Sequence, residues 1–508
     1  MAFDPTVKTN GKANGTNFFS SGLRQTVDQL MDILYSGGVN NPMDSIEQIS
    51  YLLFLRLLTE KDETLAMLEG KKHKSVFSGR WARFAWGNFV TLTGDELFNT
   101  VRDAIESFHE LPDLSNTGKL LFDRATLKIY DRPTLRAVVQ GIQEMDIAAH
   151  EGHDLKGDMY EYLLSKLSAS GTNGQFRTPR HIIDLIVELV NPQANQRICD
   201  PACGTAGFLV SAYNHILRQN TKPADLARGR VDGSLLKTAQ WKFLDEQAIT
   251  GFDNDANMVK IAILNLYLHQ LERATIEHFN PLTSGFGGTY PGEKYNIILA
   301  NPPFAGKIQD ESILDDLNYK LNTRATELLF LKWFIDHLAP NGRAGVIVPN
   351  GVLFGATNAA TQLREMLLTE CDLQAIVSFP SGVFKPYSGV GTAALIFEKG
   401  KPSQSVWFYD LTADGFSLDD KRTPIEANDI PDVLAKWQAR EESANSYRVP
   451  IEKIRENGWS LATGRYKLLT AETVNHDAPA DILREVLKVE NEIIQRGNAL
   501  LKQIGRKK

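Results

Sequence analysis

Leu23, Val27, Leu30 and Leu34 recur at a spacing that gathers them on one face of a helix. The next segment, "DSIEQISYLLFLRLLTEKDE" (residues 44–63), has a nearly unbroken apolar centre, a charged exit and Asp44 at its start. It predicts a buried helix with Asp44 as its cap. The segments around 95–110 and 133–149 repeat the pattern, so residues 21–168 are expected to form a helical N-terminal domain. The first twenty residues are polar and rich in Gly, Asn and Thr, which predicts a disordered tail.

The period changes after "SASGTNGQFRTPR". Short β-branched runs ("QRICD", "AITGFD", "YNIILA", "RAGVIVP", "LQAIVSF", "TAALIFEK") now alternate with helical patterns. Strands alternating with helices predict an α/β domain with a doubly wound sheet, here over residues 169–400. Ligands of such sheets sit beyond the carboxyl ends of the strands. A mixed extension (401–477) follows, then a helix (478–508) with Ile482, Val486, Val489, Ile493, Leu500 and Ile504 along one stripe. The stripe is interrupted by Gly497 and suits either core packing or a partner helix.

Composition narrows the class. A chain of 508 residues suggests two to four domains at about 150 residues each. Its 43% hydrophobic and 23% charged residues are ordinary for a globular protein. A net charge of −7 does not favour gripping nucleic acid alone, since phosphate binding needs clustered Lys and Arg. Cys199, Cys203 and Cys371 have no His/Cys cluster around them and read as small buried side chains, so no metal is expected. With no signal-peptide core and no apolar run near 20 residues, the expected location is the cytoplasm, away from membranes.

Candidate chemistry follows the strands. "DPACGTAGFLVSAY" closes a strand with Asp200 and turns at Gly204 and Gly207 into a helix, presenting backbone N–H groups to a ligand. No Lys follows the last glycine, so it is not a phosphate loop of the Walker type. Asp253, ending "AITGFD", can accept the hydroxyls of a ribose. It lies 53 residues after Asp200, a gap explained by an insertion around "TKPADLARGRVDGSLLK". In "ILANPPFAG" two prolines fix a stiff extended elbow at a strand end. Asn301 and the Pro302 carbonyl then offer two acceptors to a planar amino group, and Phe304 can stack on the ring that bears it.

"DPACGTAGFL" followed by "NPPF", with "GQFRTP" upstream, resembles the S-adenosylmethionine-dependent N6-adenine DNA methyltransferases. Within them the chain is similar to the modification subunit of type I restriction-modification systems, over nearly its whole length. The resemblance implies a Rossmann-like methyltransferase sheet with a helical N-terminal domain and a C-terminal helix. It implies a catalytic elbow of Asn301, Pro302, Pro303 and Phe304. Gly174, Gln175, Phe176, Thr178 and Pro179 would wrap the methionine end of the cofactor. Asp200, Ala202, Gly204, Thr205, Ala206 and Gly207 would hold its methionine moiety, Asp253 its ribose and Asn280 its adenine. Asn280 and Asn296 stand where the family usually has Asp, and Arg177 where a second aromatic is common. "FPSGVFKPYSGVGT" resembles the loop lining an extruded base, with Phe384 and Tyr387 beside Phe304 as pocket candidates.

A base paired in a duplex hides its amino group, so the target must flip out before attack. The 108 residues after Gly400 are short for a recognition domain and lack a basic, aromatic-interleaved block. The implied partners are therefore double-stranded DNA and a separate specificity subunit carrying two copies of this chain, with a restriction subunit as a further candidate. Two alternatives stay open on the residues alone. One is a protein-glutamine methyltransferase using the same elbow, and the other is a silent scaffold or DNA-binding subunit that kept the fold.

Overall fold

The apolar pattern of the N-terminal region becomes helices packed on one another and on a helix that flanks the sheet. The computed structural model describes residues 21–112, 114–145, 155–169, 178–290, 292–304, 306–309, 313, 317 and 321–467, together with most of 483–498. Helix α1 (Ser21–Ser36) buries Leu23, Val27, Leu30 and Leu34, as their spacing requires. Helix α2 (Pro42–Glu69) buries almost every side chain from Met43 to Thr59. Its cap is Asn41, not Asp44: the Asn41 side chain accepts the Met43 N–H at 3.0 Å, and Pro42 occupies the first turn, where its missing N–H costs nothing. Asp44 lies inside that turn and pairs with Lys128 at 2.7 Å instead. Helices α3 (Gly94–Ser107), α4 (Arg132–Glu144) and α5 (Leu155–Ala169) follow, with shorter helical turns between them.

Every β-branched run named above forms a strand. They are β1 (Ile198–Asp200), β2 (Ile249–Asp253), β4 (Tyr295–Ala300), β5 (Leu338–Pro349), β6 (Cys371–Phe379) and β7 (Thr392–Lys399), and β3 (Thr275–His278), which no named run announces, falls between β2 and β4. Two more, β8 (Ser405–Asp410) and β11 (Ser446–Pro450), join the same sheet, while β9 (Asp414–Phe416) and β10 (Pro424–Asn428) form a separate hairpin. The nine-stranded order is β11-β8-β6-β7-β5-β4-β1-β2-β3. β1 to β5 run parallel and β7 runs against both its neighbours, giving the Rossmann-like arrangement expected of a methyltransferase. Gly400 does not end the sheet, because β8 pairs with β6 in parallel and β11 pairs with β8. The extension expected over 401–477 thus contributes two strands to the catalytic sheet.

The chain steps outward from β1 through β2 to β3, then returns to β4 on the other side of β1. This reversal opens a crevice beyond the ends of β1 and β4. Helix α6 (Arg180–Val190) lies against β5 so closely that a Cβ on Gly345 would meet Val190 at 2.5 Å. Helix α7 (Gly207–Gln219) follows β1, and α9 (Ala256–Leu268) follows β2. The gap between them holds the short turn Pro223–Leu226 and helix α8 (Thr238–Glu246), which accounts for the distance from Asp200 to Asp253. The helical region is fastened to α9 by ions and rings. Lys260 meets Glu47 at 3.2 Å and donates to the Tyr51 hydroxyl at 3.0 Å, and Phe54 packs on Tyr267 at 4.6 Å.

The chain divides into two compact units, through Thr463 and from Gly464 onward. In the second, the described residues of 483–498 are helical, with Leu483, Leu487, Ile493 and Ile494 exposed. Ile482, Val486, Val489, Leu500 and Ile504 of the expected stripe lie outside the described residues, as does the tail 1–20. Among the described residues no helix is long and apolar enough to cross a membrane.

Candidate active site

The first wall of the crevice is the turn after β1. Asp200 is buried at 1% exposure and accepts the Ala202 N–H at 3.0 Å, which bends the chain away from the strand. Gly204 and Ala206 take left-handed backbone conformations, φ +51° and +63°, so the turn closes within a few residues and α7 can start at Gly207. A Cβ on Gly204 would meet nothing within 4 Å, leaving that backbone open to a ligand. Gly207 is held for another reason: a Cβ there would meet Ile183 of α6 at 2.9 Å.

The Asp253 carboxylate ties this turn to β2. One oxygen accepts the Gly204 N–H at 2.9 Å and the other accepts the Asp255 N–H at 2.8 Å. Carboxylate oxygens retain further lone pairs, so ligand hydroxyls can still be received. Burial raises the Asp253 pKa against the pull of those N–H bonds, and pushes Asp200 up to about 8, with Asp253 adding repulsion. A cationic ligand relieves both costs. Asn280 accepts the Leu282 N–H at 3.1 Å, so its expected acceptor role begins from an oxygen already engaged once.

The opposite wall is the elbow after β4. Asn301 Nδ2 donates to Thr178 Oγ1 at 2.9 Å, and Asn301 Oδ1 is buried with no partner among the described residues. Among the described residues none donates to the Pro302 carbonyl. The Pro303 carbonyl is taken by the Thr326 hydroxyl at 3.3 Å, an approach possible because residue 306 is glycine: a Cβ there would lie 2.7 Å from that hydroxyl. The elbow therefore keeps two acceptors open and fills the third. Phe304 is half-buried beside them.

These walls enclose a cavity of about 610 Å³. Thr178, Asp200, Ala202, Gly204, Thr205, Gly207, Asp253, Asn280, Asn301, Pro302, Pro303, Phe304 and Tyr387 all line it. Pro179 and Ala206 act from behind, one at the start of α6 and the other at the start of α7. Phe384 does not reach the cavity; it is buried against Phe379 at 6.4 Å, and only Tyr387 of that pair faces the site. Asn296 staples β4 to the entry of β1 by accepting the Arg197 N–H at 2.9 Å, away from the cavity. Gly174, Gln175 and Phe176 lie outside the described residues.

Asn265 was not foreseen. From α9 its Nδ2 donates to the Thr205 carbonyl at 2.7 Å, while its Oδ1 is buried at the cavity without a partner among the described residues. Its signal was present in "ANMVKIAILNLYL", where Asn265 is the only amide in the apolar centre of the helix. Unpaired buried acceptors call for a donor. Asn265, Asn301 and the Asp253 carboxylate, with the open Gly204 backbone, fit a ligand rich in N–H and hydroxyl donors. Among the described residues no group of His, Cys, Asp and Glu is arranged to hold a metal ion.

Comparison with known proteins gives this arrangement a family. The N-6 DNA Methylase description matches residues 151–475, and the HsdM N-terminal domain description matches residues 23–142. The chain belongs to the N-6 DNA methylase family. The methylase is 30% identical over 502 residues to the type I restriction enzyme EcoEI methylase subunit of Escherichia coli, covering 95% of this chain and 98% of that one. It is 28% identical over 478 residues to the EcoKI methylase subunit of Escherichia coli strain K12, covering 88% and 84%. A solved chain, from work on complex assembly and conformational transition of the type I R-M system, overlays with a TM-score of 0.70 at 26% identity. That overlay covers 96% of the methylase and 99% of the other chain. The methylase is thus an adenine-specific DNA methyltransferase of the type I modification-subunit kind, dependent on S-adenosylmethionine.

Proposed function

We propose that the cavity holds S-adenosylmethionine and the target adenine together, and that the chain modifies DNA chosen by a separate specificity subunit. The observation that carries this reading is the buried, unpartnered Asn301 Oδ1 beside the open Pro302 carbonyl. Two fixed acceptors match the two N–H bonds of an exocyclic amino group. Once both are engaged, the nitrogen lone pair turns out of the ring plane toward an electrophile. The proton leaves after the new N–C bond forms, so no strong base is required; orientation does the work. When bound, the cofactor supplies an electrophilic methyl group.

In this reading Asp200 through Gly207, with Thr178 and Asn265, hold the methionine end, Asp253 receives the ribose hydroxyls and Asn280 faces the adenine. Phe304 and Tyr387 flank the flipped base. Residues 21–168 form the helical domain, 169–400 with the strands of 401–477 form the catalytic domain, and the helix in 478–508 engages the specificity subunit, two copies of the chain to each. The acidic balance and short C-terminal region support a separate reader of sequence. The relatives named above are methylase subunits of restriction enzymes, which gives no support to protein-glutamine methylation. The intact elbow opposes a silent scaffold.

The test is transfer of labelled methyl to unmethylated DNA by the chain alone, by the chain with its specificity partner, and by an Asn301→Ala version of that mixture. Label on adenine only in the intact mixture is the expected result. Transfer to one defined sequence by the chain alone would remove the need for a partner.

A further inference from the structure

The charges on the cavity walls are sorted by strand. Asp200 closes β1, Asp253 closes β2 and Asp255 follows it, so these carboxyl groups gather on the cofactor wall. Two cations also line the cavity, Arg180 and Lys307. Arg180 pairs with Glu161 of α5 and lies 3.7 Å from Asp184, so its charge is already met. Lys307 follows the elbow, on the β4 side of β1, and is exposed. It pairs with no carboxylate among the described residues. The backbone that carries it is held in place. The Gly306 carbonyl accepts the Thr326 N–H at 3.1 Å, the Ile308 N–H donates to the Arg324 carbonyl at 3.1 Å, and Lys307 bridges antiparallel to Ala325. Thr326 also holds the Pro303 carbonyl, so one short pairing sets the elbow and the lysine together.

A flipping base turns about its own backbone, so it enters the cavity while its phosphates stay at the mouth. Each phosphate brings a negative charge that a nearby cation can meet. A lysine ammonium does this as a point charge on a flexible stem, without demanding one orientation of the phosphate. We propose that Lys307 binds the backbone phosphate next to the flipped adenine and so positions the target nucleotide on the elbow. This assignment rests on the methyl-transfer reading given above and adds to it the contact that anchors the DNA strand. It also gives a chain of net charge −7 a local cation at the point where the duplex is opened.

The test uses the chain assembled with its specificity partner, on duplexes carrying the sequence that the complex methylates. In these duplexes the phosphate on one side or the other of the target adenine is replaced by an uncharged methylphosphonate. Lys307→Ala, Lys307→Gln and Lys307→Arg are compared with the unsubstituted chain for methyl transfer, for DNA affinity across salt concentrations and for calorimetric binding of S-adenosylmethionine. On ordinary DNA the alanine and glutamine variants are expected to lose about 10-fold in affinity, the scale of one hydrogen bond to a charged group. Their slope of log Kd against log salt should fall by about one, and Lys307→Arg should keep it. Methylphosphonate at one of the two positions should weaken the unsubstituted complex about 10-fold and Lys307→Ala less than about twofold, because lysine and phosphate act as a pair. Losses that simply add at both positions overturn the assignment. So does weaker cofactor binding without that coupling, which would make Lys307 a contact for the cofactor's carboxylate. Melting curves accompany each assay, and the glutamine variant carries the comparison where alanine does not fold. Transfer to adenine with additive losses removes the role of Lys307 alone. No transfer by the unsubstituted complex overturns the methyl-transfer reading and this assignment with it.

Discussion

The Asp253 carboxylate accepts the Gly204 N–H at 2.9 Å, so the acid at the end of one strand holds the glycine turn at the end of its neighbour. Turn geometry, and in the proposed reading ligand binding as well, therefore depend on one side chain. Asp253→Ala should weaken S-adenosylmethionine binding by about 10- to 100-fold, the scale of hydrogen bonds to a charged group. Asp253→Asn, which keeps an acceptor, should lose less. Calorimetry on the two variants checks the order.

Asn301→Ala removes an oriented acceptor from the elbow. Methyl transfer should fall by about 10²- to 10³-fold or more, as when a preorganised hydrogen-bonding group is lost from an active site. Cofactor binding should persist, because the cofactor is held mainly by the other wall. Transfer assays and calorimetry on the same preparation separate the two.

The buried Asp200 gives a pH signature. Its folded value near 8 lies far above the ordinary 3.8, because burial disfavours the charged form. Between these values the folded chain keeps a proton that the unfolded chain has lost. The contribution to stability is complete below the lower value and declines as the pH rises through the upper one. Asp200→Asn cannot titrate, so its stability relative to the unsubstituted chain should improve from about pH 5 to pH 8 and level off above about 9. Urea unfolding across this range provides the measurement.

Glu47 joins the helical region to α9 through Lys260. Burial works against its charge, yet Lys128, Tyr51 and Lys260 hold its carboxyl below the usual range. With Lys128 still paired to Asp44, Glu47→Ala leaves the Lys260 ammonium facing a gap. It should destabilise the protein by about 3–5 kcal/mol, the cost of breaking a buried pair from one side. Denaturant unfolding of the variant would show whether the loss is that large.

Gly345 lies where α6 and β5 touch, with Val190 at 2.5 Å and Ile186 at 2.6 Å from a would-be Cβ. Gly345→Ala must push the helix outward, and α6 begins two residues after Thr178. A stability loss of about 1–3 kcal/mol, together with slower methyl transfer, is expected.

Much of this was legible in the chain because hydrophobic period reports burial directly. The alternation of runs and helices gave six of the sheet's strands, and the prolines after Ala300 gave the elbow. What escaped depended on partners distant in sequence. β3, with only Thr275–His278, carries too little pattern, and β11 at the sheet edge has Val449 as its only buried hydrophobic side chain. Phe384 and Tyr387 are three residues apart on one loop, and only the fold shows that the first enters the core while the second faces the cavity. Asn41 outcompeted Asp44 as cap because Pro42 fits the first turn, a choice settled by local geometry. The pairing of Thr178 with Asn301, across 123 residues, leaves no trace in spacing.

The place of β7 between β5 and β6 has a consequence for synthesis. On the ribosome β5 and β6 emerge first, and neither can pair with the other in the final sheet. Their facing edges stay open until Lys399 has been made. Open strand edges on a nascent chain invite wrong pairing, so a pause in translation before this strand is the interval of greatest exposure to aggregation. The elbow at Asn301 is already synthesised by then, but the sheet that carries it still has an unpaired edge at β5. This methylase therefore completes its catalytic framework late in translation.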